Sequence, residues 1–204
     1  DSGTRWIQPG IESLDDSLLR SLGKGVTVMQ NLETLKWARE CGLHALWLLL
    51  YDIPGQPDEP LHRMSRWLPL ISHLQPPKGM SCIRFDRFSP YQQNPEKFGL
   101  HLRPAPAYAY VYPLPERTLA DFAYFFEHYT DGQPRRTRLG ARNQAASPGA
   151  TALRDAVARW QEEWLGRYYP EIMAPFPASL VMLDREGALT FYDTRRCALE
   201  FKCS

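Results

Sequence analysis

Five apolar residues and a Tyr run unbroken in Leu46-Trp-Leu-Leu-Leu-Tyr51, which ends at Asp52 and a Pro54-Gly55 turn. A run this short reads as a strand, and its lack of polar alternation predicts that both faces are covered, as in a parallel sheet flanked by helices. Ligands of such sheets bind beyond the carboxyl ends of the strands. The Asp52–Gln56 turn is therefore a candidate site, with an ordinary turn after a buried strand as the plain alternative. Ahead of it, Trp6–Gly10 reads as a short strand. Ser13 reads as a helix N-cap with Asp15 and Asp16 in the first turn, Leu14, Leu18, Leu19 and Leu22 as the apolar face, and Gly23 or Gly25 as the stop. Thr27 and Gln30 form a capping-box pattern that opens a second helix with Val28, Leu32, Leu35 and Ala38 on one side, ended by Gly42. Strand, helices and the strand Leu43–Tyr51 make a βαβ unit, whose crossover is expected to be right-handed.

Further along, Leu61, Met64, Leu68 and Ile71 mark one side of a helix from Glu59 to Leu74, with a break at Pro69 and an extended exit at Pro76-Pro77. Met80–Phe88 reads as a third strand in which Ile83 and Phe85 alternate with Arg84 and Asp86. Ile7, Leu49 and Ile83 are thus expected on neighbouring strands that run the same way. Ser89–Tyr112 is a Pro-rich connection, either a functional lid or a surface wrap. Within it Tyr108, Tyr110 and Tyr112 alternate as in a short strand. Leu119, Phe122, Ala123, Phe126 and Tyr129 read as an aromatic helix. Asp131–Gly149 has a linker composition with Arg135, Arg136, Arg138 and Arg142. Thr151–Arg167 reads as a helix, and Ser179–Asp184 and Ala188–Asp193 as a hairpin around Gly187. The fold class is α/β: a partial (β/α) barrel fragment of parallel strands with helical crossovers over 1–130, a linker over 131–149, and a C-terminal helix and β-hairpin over 150–204.

Composition narrows the function. A net charge of +1 over 204 residues argues against nucleic acid and membrane surfaces as partners. No apolar run reaches the roughly 18 residues of a spanning helix, and no signal-peptide pattern is present, so a cytoplasmic location is expected. Cys41, Cys82, Cys197 and Cys203 have no metal-ligand spacing and read as free thiols, and the five His form no HExxH, so no protein-held metal is expected. The chain opens on Asp1 directly into a strand, as a piece of a longer protein would.

The ordered series Gln8-Pro-Gly-Ile-Glu-Ser-Leu14, Lys24-Gly-Val-Thr27, Asn31-Leu with Leu35-Lys-Trp37, Leu49-Leu-Tyr51 with Pro54-Gly55, and Leu74-Gln-Pro-Pro77 carries a family resemblance. So do Ile83-Arg-Phe-Asp-Arg-Phe-Ser-Pro-Tyr91, Phe98-Gly-Leu100 and Arg103-Pro-Ala-Pro-Ala-Tyr108. Together they resemble the radical S-adenosylmethionine maturases of ribosomally made peptides, in particular the cobalamin-dependent C-methyltransferase branch. The resemblance covers residues 5–130 and is looser from 150 onward. It implies a partial barrel of six β/α units, of which this chain supplies strands four to six. The CxxxCxxC loop that holds the [4Fe–4S] cluster in that family is absent from this sequence, as is the cobalamin domain, so both groups would belong to other parts of a parent protein. By resemblance, Gln8, Glu12 and Ser13 lie at the fourth strand and its exit, where polar groups reach the ribose or methionine part of S-adenosylmethionine. Glu12 is the leading contact. Tyr51, Asp52 and Gln56 fall on the fifth-strand motif beside the adenine, but Asp52 stands where that family commonly has Gly, and Gln56 where it commonly has Glu. Arg84, Asp86 and Arg87 match the sixth strand and its exit. The alternation there points Arg84 and Asp86 into the barrel mouth as catalytic candidates, or makes them an ion pair that fixes the strand. Tyr91 and the loop beyond it would line a precursor-peptide site. The competing reading is a non-catalytic module that binds a peptide or partner protein. An open edge at the first strand is expected either to pair two copies as a homodimer or to be covered by the 89–112 loop.

Overall fold

The computed structural model describes residues 2–130, 133–134, 147–165, 167–169, 174–176, 178–185 and 187–203. The chain begins with β1 (Trp6–Ile7). This strand is shorter than the Trp6–Gly10 pattern, because Pro9 has no N–H to extend a ladder. α1 (Asp16–Ser21) is capped by Asp15, whose carboxylate accepts the Ser17 and Leu18 N–H groups. The cap is not Ser13 as the pattern predicts: the Ser13 hydroxyl accepts the Asp15 N–H at 3.1 Å and so holds the chain non-helical for one more step. Gly23, with φ +70°, terminates this stretch. α2 (Val28–Glu40) has both halves of the Thr27–Gln30 capping box. Its buried face is Asn31, Leu35 and Ala38 rather than Val28 and Leu32. Asn31 is tolerated there because its amide donates to the Ser13 carbonyl at 3.1 Å.

The apolar run from 43 to 51 is two strands, β2 (His44–Ala45) and β3 (Leu48–Tyr51), which part at Leu46-Trp47. β2 lies parallel to β1, with Trp6 opposite His44 and Ile7 opposite Ala45. α3 (Glu59–Trp67) follows and tightens into a single 3₁₀ turn at Leu68–Ile71, where Pro69 interrupts the α-helical ladder. Leu61, Met64, Leu68 and Ile71 are all buried. β4 (Gly79–Cys82) then pairs with β3. The Lys78 N–H donates to the Trp47 carbonyl at 2.8 Å and the Ile83 N–H to the Tyr51 carbonyl at 2.9 Å. The two bonds advance together along both segments, which is the parallel sense. Leu49 and Ile83 thus lie on, or directly beyond, one parallel pair, whereas Ile7 belongs to a separate two-stranded sheet, so, contrary to expectation, the three are not on one set of neighbouring strands.

The expectation that both faces of the 46–51 run are covered fails. Ala45, Trp47 and Leu49 are buried, but Leu46 and Leu48 are 39% and 41% exposed, and Trp6 is 60% exposed. Strand geometry sends alternate side chains to opposite faces whatever their polarity, and only the face carrying Trp47, which meets Trp160 edge-on at 5.8 Å, is packed.

The third expected strand also divides. Beyond β4, β5 (Phe85–Asp86) joins a different sheet. The 89–112 connection is not structureless. It holds α4 (Pro90–Gln93), a 3₁₀ turn at Pro95–Phe98, β6 (Leu102–Pro104) and α5 (Ala107–Val111). Tyr108 and Tyr110 are therefore helical rather than on a strand; an Ala-Tyr-Ala-Tyr pattern suits one helical turn as well as a strand. The expected aromatic helix from 119 to 129 is α6 (Glu116–Phe122) followed by β7 (Phe125–Thr130). β7 sits centrally, antiparallel to β5 and β6, and also pairs with β8 (Gln133–Pro134). Apart from Gln133, Pro134 and residues 147–149, the linker segment lies outside the described residues.

α7 (Pro148–Leu165) buries Leu153, Val157 and Trp160. β9 (Arg167–Tyr169) pairs antiparallel with β10 (Ala174–Phe176). β11 (Leu180–Arg185) and β12 (Ala188–Asp193) form the expected hairpin, with Gly187 at φ +84°, and β13 (Lys202–Cys203) adds to β12. The result is a mixed α/β protein with several small sheets. It comprises two compact units, residues 1–49, 58–80 and 146–204 in the first, and 50–57 and 81–145 in the second. α7 belongs to the first unit, where Asp58 ahead of α3 accepts the Gly149 N–H at 2.6 Å and the Ser147 hydroxyl.

Candidate functional site

The candidate residues fall on both units. In the first, Gln8 is exposed just past β1. Glu12 is partly exposed and ion-paired with Lys24 at 2.9 Å. Ser13 is fully buried: besides holding the Asp15 N–H, its hydroxyl points to the Met64 sulfur at 3.7 Å. The Ser13 side chain thus sets the loop, and its neighbour Glu12 presents the accessible carboxylate. Beneath them lies a pair the sequence did not signal. Asp15 accepts from Arg63 Nε at 2.9 Å and Nη2 at 2.6 Å. Burial pushes the Asp15 carboxyl up, but hydrogen bonds from Ser17, Arg63 and the Leu18 N–H outweigh it and hold the group below the usual carboxylate range. The two partners are 48 positions apart in the chain, so no local pattern could have linked them.

In the second unit, the Tyr51 ring is buried and its carbonyl anchors Ile83. Asp52 follows at φ +59°, a left-handed conformation that costs an ordinary side chain about 1 to 2 kcal/mol and costs glycine little. The position where the resembled family commonly has Gly thus keeps the backbone geometry of glycine while carrying a carboxylate. Gly55 is also left-handed at φ +72°, and the Gln56 N–H closes the turn on the Ile53 carbonyl at 3.2 Å.

Arg84 and Asp86 pair at 2.9 Å, with Arg84 largely exposed and its guanidinium 5.4 Å from the Phe125 ring centre. One Asp86 oxygen takes Arg84; the other is enclosed and has no hydrogen-bond partner. Such an oxygen can accept a proton or a hydrogen bond from a ligand. Arg87 turns the other way and donates to the Ala123 carbonyl at 2.6 Å and to the Ala120 carbonyl. Phe88 is the second non-glycine residue at positive φ, +68°, and is 71% exposed. Among the described residues Asp52 and Phe88 are the two non-glycine positions of this kind. Asp52 directly follows β3, and Phe88 lies two residues beyond β5. Tyr91 is buried, edge-on to Phe85 at 5.8 Å and against Phe98 at 4.6 Å. Its ring supports the Arg84–Asp86 strand from within the unit and forms no open wall.

Among the described residues no group of three or more His, Cys, Asp or Glu could hold a metal ion. The four cysteines are free thiols. The side chains described thus offer no donor set for an iron–sulfur cluster. Within the first unit, Glu12, with its carboxylate accessible, fits a hydroxyl or ammonium group; within the second, the Asp52 turn does the same. No described helix is long and apolar enough to cross a membrane.

No protein-family model matches the chain. No solved structure matches it either. Over 59 residues the chain is 34% identical to an uncharacterized methyltransferase of Pyrococcus horikoshii, a stretch that makes up 29% of this chain and 13% of that protein. The chain is thus similar to a small part of a protein named as a methyltransferase.

Proposed function

We propose that this chain is part of an S-adenosylmethionine-dependent enzyme, and in its finer form the C-terminal half of a radical S-adenosylmethionine barrel that methylates a precursor peptide. The reading rests on its local identity with the Pyrococcus horikoshii methyltransferase and on the ordered motif series. The observation that carries it is Asp52. A carboxylate is held at φ +59° immediately beyond a parallel-paired strand, where α/β sheets place ligands and where backbone strain is retained for function. S-adenosylmethionine, when bound, supplies the methyl group, and in radical enzymes also a carbon radical.

The chain's own contribution is binding and orientation. In the first unit Glu12 accepts hydrogen bonds from ribose hydroxyls or the ammonium; in the second, taken by itself, Asp52 and Gln56 present polar groups beyond β3. Cobalamin and the [4Fe–4S] cluster would reside on other parts of a longer protein. The test is calorimetric titration of the chain with S-adenosylmethionine. Saturable binding is expected, weakened about tenfold by Glu12→Ala, since one hydrogen bond to a charged group is lost. Lys24→Met, which breaks the ion pair but keeps the carboxylate, should retain binding. Absence of saturable binding, or no effect of Glu12→Ala, overturns the reading.

A second reading, a non-catalytic peptide-binding module, is favoured by the exposed aromatic surface of the second unit. Tyr110, Tyr112, Phe122 and Tyr124 all stand in solvent there. A chain that fails the S-adenosylmethionine titration but binds peptides would fit this second reading.

A further inference from the structure

We propose that the second unit binds an extended peptide along β6 and seats one aromatic or large aliphatic side chain of that peptide in the cavity between β6, α5 and α6. The cavity measures about 300 Å³, at the small end for ligand pockets and suited to a single side chain rather than a whole cofactor. Its floor is apolar, with Pro104 and Leu119 buried. Tyr129 forms one wall, with the Arg103 guanidinium 5.1 Å from its ring centre. Tyr110 stands at the mouth, 90% exposed.

Two further observations make the ligand a peptide. The first is that, among the described residues, β6 ends its sheet, whose order is β5-β7-β6. The Tyr129 N–H donates to the His101 carbonyl, and the Ala105 N–H to the Phe125 carbonyl. With Arg103 opposite Glu127, antiparallel alternation then turns the Leu102 N–H and C=O away from β7, on a residue that is partly exposed. A strand end of this kind takes an added strand through main-chain bonds, while a neighbouring pocket reads alternate side chains. Pro104, which has no N–H to give, is at home on such an edge. The second is the Arg103–Glu116 contact at the cavity wall. At 3.6 Å, with both side chains more than half exposed, it leaves Arg103 donors free for a peptide carbonyl or carboxylate and Glu116 oxygens for a peptide N–H.

The inference deepens the peptide part of the proposed function and rests on it for biological meaning, but its test is of binding alone. The whole chain, labelled with ¹⁵N, is titrated with the blocked peptide acetyl-Ala-Ser-Phe-Ser-Ala-amide and with its counterpart carrying Ala in place of Phe. Amide shifts are expected at Leu102, Arg103, Ala105 and Tyr129, with the Ala peptide at least about tenfold weaker. Ala109→Trp fills the cavity from an exposed helical position and should abolish the response. Tyr110→Ala, at a site with almost no packing to lose, should weaken it several-fold. Shifts confined to other residues, equal affinity for the two peptides, or indifference to Tyr110→Ala would overturn the inference. Titration of the same sample with S-adenosylmethionine separates the two proposals. Peptide binding without cofactor binding sinks the enzyme reading, and the converse sinks this one.

Discussion

His73 follows the 3₁₀ turn after α3, and its Nδ1 is buried without a hydrogen-bond partner. Burial first, then the nearby Arg195 and Arg39 guanidinium groups, push its pKa down from 6.5 to about 4, with Asp193 opposing them. The imidazole is therefore neutral in the folded protein at neutral pH. Between pH 4 and 6.5 the unfolded chain binds more protons at this residue than the folded one, so stability falls as pH drops through that window and is fully present above 6.5. The displacement corresponds to a ceiling of about 3 kcal/mol. His73 is only half-buried, and solvent screening reduces this to roughly 1 to 2 kcal/mol. His73→Gln removes the titration and keeps a polar side chain. Urea unfolding of both proteins at pH 7.5 and pH 5 gives the comparison, because every other ionisable group contributes equally to each. The native protein should lose about 1 kcal/mol more than the variant on acidification. Equal losses would show that the Arg39–His73–Arg195 environment does not disfavour the imidazolium.

Gly149→Ala should destabilise the protein by about 1 to 3 kcal/mol in the same assay. Its Cβ would fall 2.6 Å from Asp58 Oδ1 and 2.8 Å from the Asp58 backbone oxygen, and the resulting overpacking and lost cap exceed the helix-propensity gain of at most about 1 kcal/mol. A variant as stable as the parent would contradict the contact. Met64 is wholly buried on α3, so Met64→Ala should cost about 2 to 5 kcal/mol by urea unfolding; a loss under about 1 kcal/mol would mean that the face carrying Leu61, Met64 and Leu68 is not core.

Local chemistry wrote several elements into the sequence. The Thr27–Gln30 capping box, the Pro69 break and the Arg185–Ala188 hairpin all follow from interactions within a few residues, and the structure has each. The parallel pairing of β1 with the start of the 43–51 run was also legible, because βαβ units allow few alternatives, but it is Ala45 and not Leu49 that lies opposite Ile7. What the sequence misjudged depends on partners far along the chain. Leu46 and Leu48 are as apolar as Leu49, yet only Leu49 faces packed neighbours. Phe126 continues the helical period from Leu119 and Phe122, yet β5 and β6 draw it into a strand, and a sheet's ladder outweighs a weak local propensity. Among the candidate residues, the position of Asp52 directly after β3 could be read in advance, whereas Glu12 lies five residues beyond the end of β1. The left-handed backbone of Asp52, the Arg63 clamp on Asp15, and the burial of Ser13 and Tyr91 could not. Hydrophobic period and capping act over one or two turns and are fixed by composition at those positions. Which apolar face is covered, and which carboxylate meets which guanidinium, is settled only when distant segments pack together.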